Sequence, residues 1–311
     1  MIGVAAMTNA EEVAGSLGFE ARPNVLQRSL KALWRFARTQ PLGTFGAVII
    51  LLLVVGTVFA SELNTVNPKK PIRESSALEA PSSEHFFGTD RSRRDVWSRV
   101  LYGGRPTLLI GIGAVGITMG AGVILALAAG FLGGLVDAVV SRIIEVIISV
   151  PAILWLLMFS TAFDRSVQTL MFAVAFTFTP VALRLFRGNV IQERSVTYVE
   201  AARVIGASSA RIMFRHILPN LAPLVIVAAS ITIPAAMLSE ASLTFLGLGL
   251  EPGTPSWAQD LGPGNRPFFR LAWWLVIFPG AALALAVLSF NFFGDSIRDV
   301  LDPRLRGSGL V

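Results

Sequence analysis

Cysteine is absent from this chain and charge is scarce. The first absence excludes disulfides, thiolate nucleophiles and Cys-ligated zinc or iron–sulfur centres, and it leaves the redox compartment open. Lysine occurs only at Lys31, Lys69 and Lys70. None of these follows a glycine, so the Gly-Lys dipeptide of a Walker A phosphate loop is missing. Histidine is limited to His85 and His216, with no HExxH pair for zinc and no G-x-S-x-G elbow. Only 15% of residues are charged, where a soluble domain carries roughly 25%.

What remains is apolar. The 311 residues are 53% hydrophobic, and mean hydropathy is +0.66, so the class is an all-α polytopic membrane protein. Six windows have the ~20 apolar residues that a span needs: 42–60, 106–131, 143–163, 169–187, 221–247 and 271–293. The first 41 residues are polar and end in a basic stretch with no A-x-A site after the first apolar run, which reads as an uncleaved signal anchor. In the second window Gly116 and Gly120 form a GxxxG pair, continued by Ala126 and Gly130. That spacing predicts close helix packing, although glycine is also simply common in membrane helices.

Net charge is +6, almost all from arginine. No basic run is interleaved with aromatics, so the excess points to anionic lipid and not to nucleic acid. With the N-terminus cytoplasmic, fifteen Lys and Arg lie inside and eleven outside, which fits the positive-inside rule. Trp34, Trp97, Trp273 and Trp274 fall at span ends, as an interface belt requires. The organisation predicted is a cytoplasmic tail (1–41), a first span (42–60) and an extracytoplasmic segment (61–105). A membrane core (106–294) with a cytoplasmic loop at 188–220 follows, then a cytoplasmic tail (295–311). Within the outer segment, RDVWSRVLYGG is either an interfacial helix with Trp97, Val100 and Leu101 on one face or a plain connector. Both histidines would lie on opposite sides of the membrane, which argues against a catalytic pairing.

The loop between the fourth and fifth windows reads TYVEAARVIGASSARIMFRHILPN over residues 197–220. Residues 198–205 predict a helix, Gly206 its C-terminal turn, and Ser208 or Ser209 the cap of a second helix. Pro219 is expected to stop that second helix. Ile212, Met213 and Phe214 are apolar within a polar loop, with Arg211 and Arg215 as i, i+4 neighbours. They would lie on lipid or dock in a groove on a partner protein.

The spacing Glu200-Ala201-Ala202, three residues, Gly206, nine residues, His216, one residue, Leu218-Pro219 resembles the EAA motif of bacterial ABC importer permeases, EAA-x3-G-x9-I-x-L-P. His216 in place of isoleucine is the one departure. HFFGTDRSRRDVWSRVLYGGR, SEASLTFLGLGLEPGTPSW and SFNFFGDSIRDVLDPRLR resemble segments of the C-type permease subunit of dipeptide, oligopeptide and nickel importers, over about residues 25 to 307. That family usually reads GTD-x-x-G-R-D, and Arg93 replaces its glycine, which puts the turn after Asp90 in question.

The resemblance implies a type I ABC importer permease fold in the bacterial plasma membrane, paired with a homologous permease in a heterodimer. It also implies two cytoplasmic ATP-binding subunits holding ATP and Mg2+, and an extracytoplasmic solute-binding protein. The chain itself would be non-catalytic and bind no cofactor or metal. Short peptides are the expected cargo, with nickel or glutathione as the alternative and a passive channel or receptor as the distant one. Glu200, Ala201, Ala202, Gly206 and the stretch Arg211, Ile212, Met213, Phe214, Arg215 would contact the ATPase, with His216 structural.

Charged groups within the windows are few, since each costs roughly 2.5–3.5 kcal/mol at the centre of a span. Glu240 is expected either to line the translocation path near the outer face or to meet water at a helix end. Arg142 and Glu145 should pair at i, i+3, and Arg184 and Arg187 should snorkel. Pro151, Pro180 and Pro234 are candidate kinks. The orientation has a direct test. A single cysteine at Ser209, in a chain with no other, is predicted to react with an impermeant maleimide only from the cytoplasmic side. Labelling from outside overturns the topology.

Overall fold

The computed structural model describes residues 34–64, 66–73 and 75–301. The predicted tails up to residue 33 and beyond residue 301 lie outside these. Among the described residues all regular elements are helical. Five helices are long and apolar enough to cross a membrane, and a sixth span forms if one bent pair is counted together. Two faces result. Residues 195–217 lie on one, termed the near face, and residues 61–95 and 246–273 on the other, the far face.

Helix α1 (Pro41–Val58) starts on Pro41, whose fixed φ suits a first turn. It is apolar all round and buries only Gly43, Gly46 and Thr57. A Cβ at Gly46 would stand 2.5 Å from the Ser289 carbonyl oxygen, so glycine lets α1 lie directly on the last helix. Helix α2 (Val96–Leu127) begins well before its apolar window. The Asp95 carboxylate caps it, accepting from Ser98 N at 2.7 Å. RDVWSRVLYGG is therefore not a separate element: from Val96 on it is the start of the same helix that carries the second window, and Pro106 does not interrupt it. A π-turn at 128–132 ends α2, and Gly133 and Gly134, both with positive φ, make the corner.

The third window falls on a bent pair of helices. Helix α3 (Gly134–Ser149) meets α4 (Ala152–Ala162) at 86°. Val150 is extended, as the residue before a proline prefers, and Pro151 cannot continue the backbone ladder. Trp155 Nε1 donates to the Ile147 carbonyl at 2.9 Å, satisfying a group the break would leave bare. Pro180 and Pro234 sit inside continuous helices, α5 (Val167–Arg194) and the long helix before the last loop. Arg142 and Glu145 pair at 3.0 Å as expected. Arg187 does not snorkel; it forms a two-pronged ion pair with Asp137 of α3.

The core lies between α2 and α5, joined by the long helix at 218–245. Gly122 sits against Ala182, and Gly130 faces Val190. Gly116 and Gly120 do not share in this: a Cβ at either would meet nothing within 4 Å. The predicted close packing thus holds for Ala126 and Gly130, and the GxxxG pair lies on an open face of α2 beside Ile112 and Ile124.

The far face is pinned by Arg99, 2% exposed. Its guanidinium donates to Asp260 Oδ1 through Nε at 2.8 Å and again through NH2. The remaining donors reach the carbonyls of Pro68 (3.1 Å), Gly253 (3.2 Å) and Thr254 (3.4 Å). Burial pushes the Asp260 carboxyl up from the usual carboxylate range, and Arg99 pulls against that shift. Arg93 carries φ +59, so the turn after Asp90 keeps a left-handed residue without glycine. Asp90 Oδ1 secures that turn, accepting from Ser92 N (2.8 Å) and Arg94 N (2.9 Å). Asp260→Ala is predicted to cost ~3–5 kcal/mol by stranding a buried charge, and Arg99→Met with Asp260→Leu much less. Thermal unfolding in detergent, followed by tryptophan emission, compares them; equal losses would show that charge pairing does not hold this face.

Candidate functional site

Residues 197–217 form a compact turn on the near face. Helix α6 (Thr197–Val204) is amphipathic, with Val199 and Ala202 buried in the main core. Gly206 (φ +81) ends it. Its N–H reaches the Arg203 carbonyl at 2.9 Å, and Ala207 N–H reaches that of Ala202 at 3.0 Å, the paired bonds of a Schellman motif. A Cβ at Gly206 would meet nothing within 4 Å, so the backbone angle, and not space, requires glycine. Ser208 then caps α7 (Ser209–Ile212).

Pro219 does not stop the second helix. A π-turn over Met213–Ile217 carries α7 directly into α8 (Leu218–Phe245). The Leu218 N–H bonds the Met213 carbonyl, five residues back. The wider turn takes up the proline's missing donor and ring bulk, which would break an ordinary α-helix.

This continuity changes which side chains face outward. Ile212 is 1% exposed and belongs to the core, and Met213 packs against it. They are not the outward knob anticipated from their apolar character, and Ala202 is also turned inward. Glu200, Ala201, Gly206, Arg211, Phe214 and Arg215 remain exposed. Val204 and Ile205 join them at 87% and 84% exposure. Sequence reasoning missed these two: Val204 stands opposite the inward positions Val199 and Ala202 on the helical period, and Ile205 is the residue that closes α6. Val204, Ile205 and Phe214 are the exposed large apolar side chains of this turn, termed its tip, and Glu200, Arg211 and Arg215 are exposed with them.

The turn is tied to three spans. Tyr198 Oη donates to Glu193 of α5, and Asn220 Nδ2 of α8 donates to Tyr198 Oη at 2.9 Å. Burial, followed by the Glu193 hydrogen bond, raises the Tyr198 pKa, so the phenol stays protonated to donate. Arg203 lies over the Phe131 ring, 5.3 Å from its centroid, which joins α6 to the π-turn after α2. His216 lies beside the Tyr198 ring, with centroids 6.4 Å apart.

Glu240 departs from both expectations. It is 1% exposed, so it neither meets water nor lines an open path. Thr244 Oγ1 donates to its Oε1 at 3.0 Å, and Oε2 has no partner among the described residues. An apolar groove of about 350 Å³ opens instead between α2, α3 and α5, lined by Ile117, Ile143, Ile147, Phe172 and Phe176. Among the described residues no three His, Asp or Glu side chains come together at metal-binding distance.

Comparison with known proteins agrees with this architecture. Residues 122–307 match the family model of the binding-protein-dependent transport system inner membrane component. A probable D,D-dipeptide transport system permease of Escherichia coli (strain K12) is 38% identical over 277 residues, covering 89% of this chain and 92% of the relative. A dipeptide transport permease of Bacillus subtilis (strain 168) is 34% identical, covering 88% and 85%. A glutathione transport permease of Escherichia coli O6:K15:H31 is 35% identical, covering 92% and 94%.

Gly206→Val should loosen the turn by ~1–3 kcal/mol, because a β-branched residue resists positive φ. Gly206→Asn should be milder. Hydrogen exchange at Ala207 reads the difference; equal protection in both variants would refute the backbone argument.

Proposed function

Since the chain belongs to the family of binding-protein-dependent transport inner-membrane components, and is thus a permease subunit of an ABC importer, we propose that it passes di- or oligopeptides across a bacterial plasma membrane by alternating access. The near face, in this reading, is cytoplasmic and holds both termini. One observation carries the mechanism: an exposed apolar tip, Val204, Ile205 and Phe214, is locked through Tyr198 and Arg203 to three spans. Isolated in water such a tip is a cost; seated in a groove on an ATP-binding subunit it is a handle. Two such subunits hold Mg2+ and ATP, and a homologous permease completes the pore. A solute-binding protein delivers cargo at the far face.

The steps follow from the contacts. Closure of the ATP-binding subunits draws the tip with it. The Glu193–Tyr198–Asn220 clamp passes that displacement to α5 and α8, and Arg203 passes it to α2 through Phe131. The Pro151 break leaves α4 a short, separate half-helix that can tilt against α5 without bending the rest of the span. Peptide cargo is supported by the relatives named for dipeptide transport. The glutathione permease favours that tripeptide as a second reading.

Val204→Asp with Ile205→Asp should lower uptake more than about tenfold, as loss of a docking hot spot does, and abolish stimulation of ATP hydrolysis by the loaded binding protein. Membrane content is measured alongside. Unchanged uptake and stimulation at normal content would overturn the docking role. In the unmutated transporter, dialanine and glutathione compete as unlabelled cargo, and the better competitor identifies the substrate class.

A further inference from the structure

A second feature of the far face has no part in that docking. The C-terminus of half-helix α4 opens onto a cleft of about 420 Å³, lined by Ser160, Thr161, Phe163, Asp164, Arg165 and Glu251. Four properties converge there. The last carbonyls of α4 bring the negative end of a helix dipole, which favours a cation. Asp164 and Glu251 are exposed and form no ion pair among the described residues. Arg165, the one cation lining the cleft among the described residues, donates one guanidinium N–H to the Gly247 carbonyl at 3.1 Å. Ser160 Oγ is buried, with the residue 4% exposed, and has no hydrogen-bond partner among the described residues.

A buried hydroxyl with no partner is unfavourable unless something completes it, and two carboxylates line the same cleft. The missing group is a compact cation with several N–H donors. A divalent metal fits poorly, since a hard cation seeks six or more oxygens in a closed shell, and this cleft is open with two carboxylates. We propose that the cleft binds a primary ammonium, the free N-terminus of an entering peptide, through Asp164, Glu251 and Ser160. The identity of the ammonium as cargo rests on the peptide reading above; the chemistry of the cleft does not. Binding at the end of α4 would place the cargo against the one element that the Pro151 break frees to move.

The test uses the absence of native cysteine. Thr161→Cys is introduced, and the chain is assembled with its partner subunits in vesicles of phosphatidylcholine and phosphatidylglycerol, without aminolipid. An uncharged maleimide then reports access to the cleft. Dialanine should slow labelling about tenfold, the scale of one charge-assisted contact, and N-acetyl-dialanine should not. Asp164→Asn with Glu251→Gln should remove the protection, and the single Glu251→Gln should reduce it if the double variant fails to assemble. Equal protection by free and acetylated peptide overturns the proposal. So does protection by calcium chloride alone, or protection only when phosphatidylethanolamine is added to the vesicles. Ammonium-dependent protection without any dialanine uptake would leave the cleft assignment standing and remove peptides as the cargo.

Discussion

A buried guanidinium has five N–H donors, and each one left unanswered carries a penalty of a kilocalorie or more. Arg99 meets that constraint in full, and in doing so decides how the far face is built. Its partners come from three separate stretches: the segment before α2, the loop after α8, and the short helix at Trp257–Asp260. Because Arg99 sits in the first turn of α2, these stretches are gathered around the mouth of the second span. Trp257 follows the same logic, with Nε1 donating at 2.8 Å to the carbonyl of Val100, the next residue along the helix. The aromatic layer beyond, where Phe87 stacks on Phe278 at 3.7 Å and meets Trp97 edge-on, closes the plate.

Much of this was legible in the sequence. Long apolar windows must become helices in lipid, because every backbone group needs an internal partner. Five of the six windows therefore fall on long helices, although α2 begins ten residues before its window, and the third falls on the bent pair α3 and α4. Gly206 was legible for a similar reason, since a helix that stops without proline or a polar run usually stops on a left-handed residue. What escaped was direction. Ile212 and Val204 are both apolar residues in a polar loop. The direction of Ile212 depends on whether the helix after Ser208 ends at Pro219 or runs through it, and that of Val204 on which side of α6 packs on the core. A proline ordinarily ends a helix, and the π-turn that accommodates it has no simple sequence signature. Glu240 escaped for another reason: its position along the helix is readable, but the side from which neighbours bury it is not.

Arg93 shows how a departure from a family pattern is absorbed. Its φ of +59 costs a non-glycine residue of order a kilocalorie. The turn keeps its shape because Asp90 accepts two backbone N–H groups and the Arg94 guanidinium, the last at 2.6 Å. The backbone is thus held by side-chain acceptors around it, where a glycine would need no such support. Sequence comparison flags the substitution; only the surrounding hydrogen bonds explain why it is tolerated.

The π-turn at Met213–Ile217 also sets a phase. An α-helix advances about 100° per residue, so the extra residue in that turn rotates everything beyond it relative to what lies before. The apolar tip on one side and the buried face of α8 on the other are clocked against each other by this one offset. Converting the turn to regular α-helix would turn the fifth span about its own axis by roughly a quarter of a revolution. A rotation of that size exchanges which side chains of α8 face the core and which face outward, with no translation at all. The join between the near-face turn and α8 therefore fixes the rotation of the fifth span as well as its height.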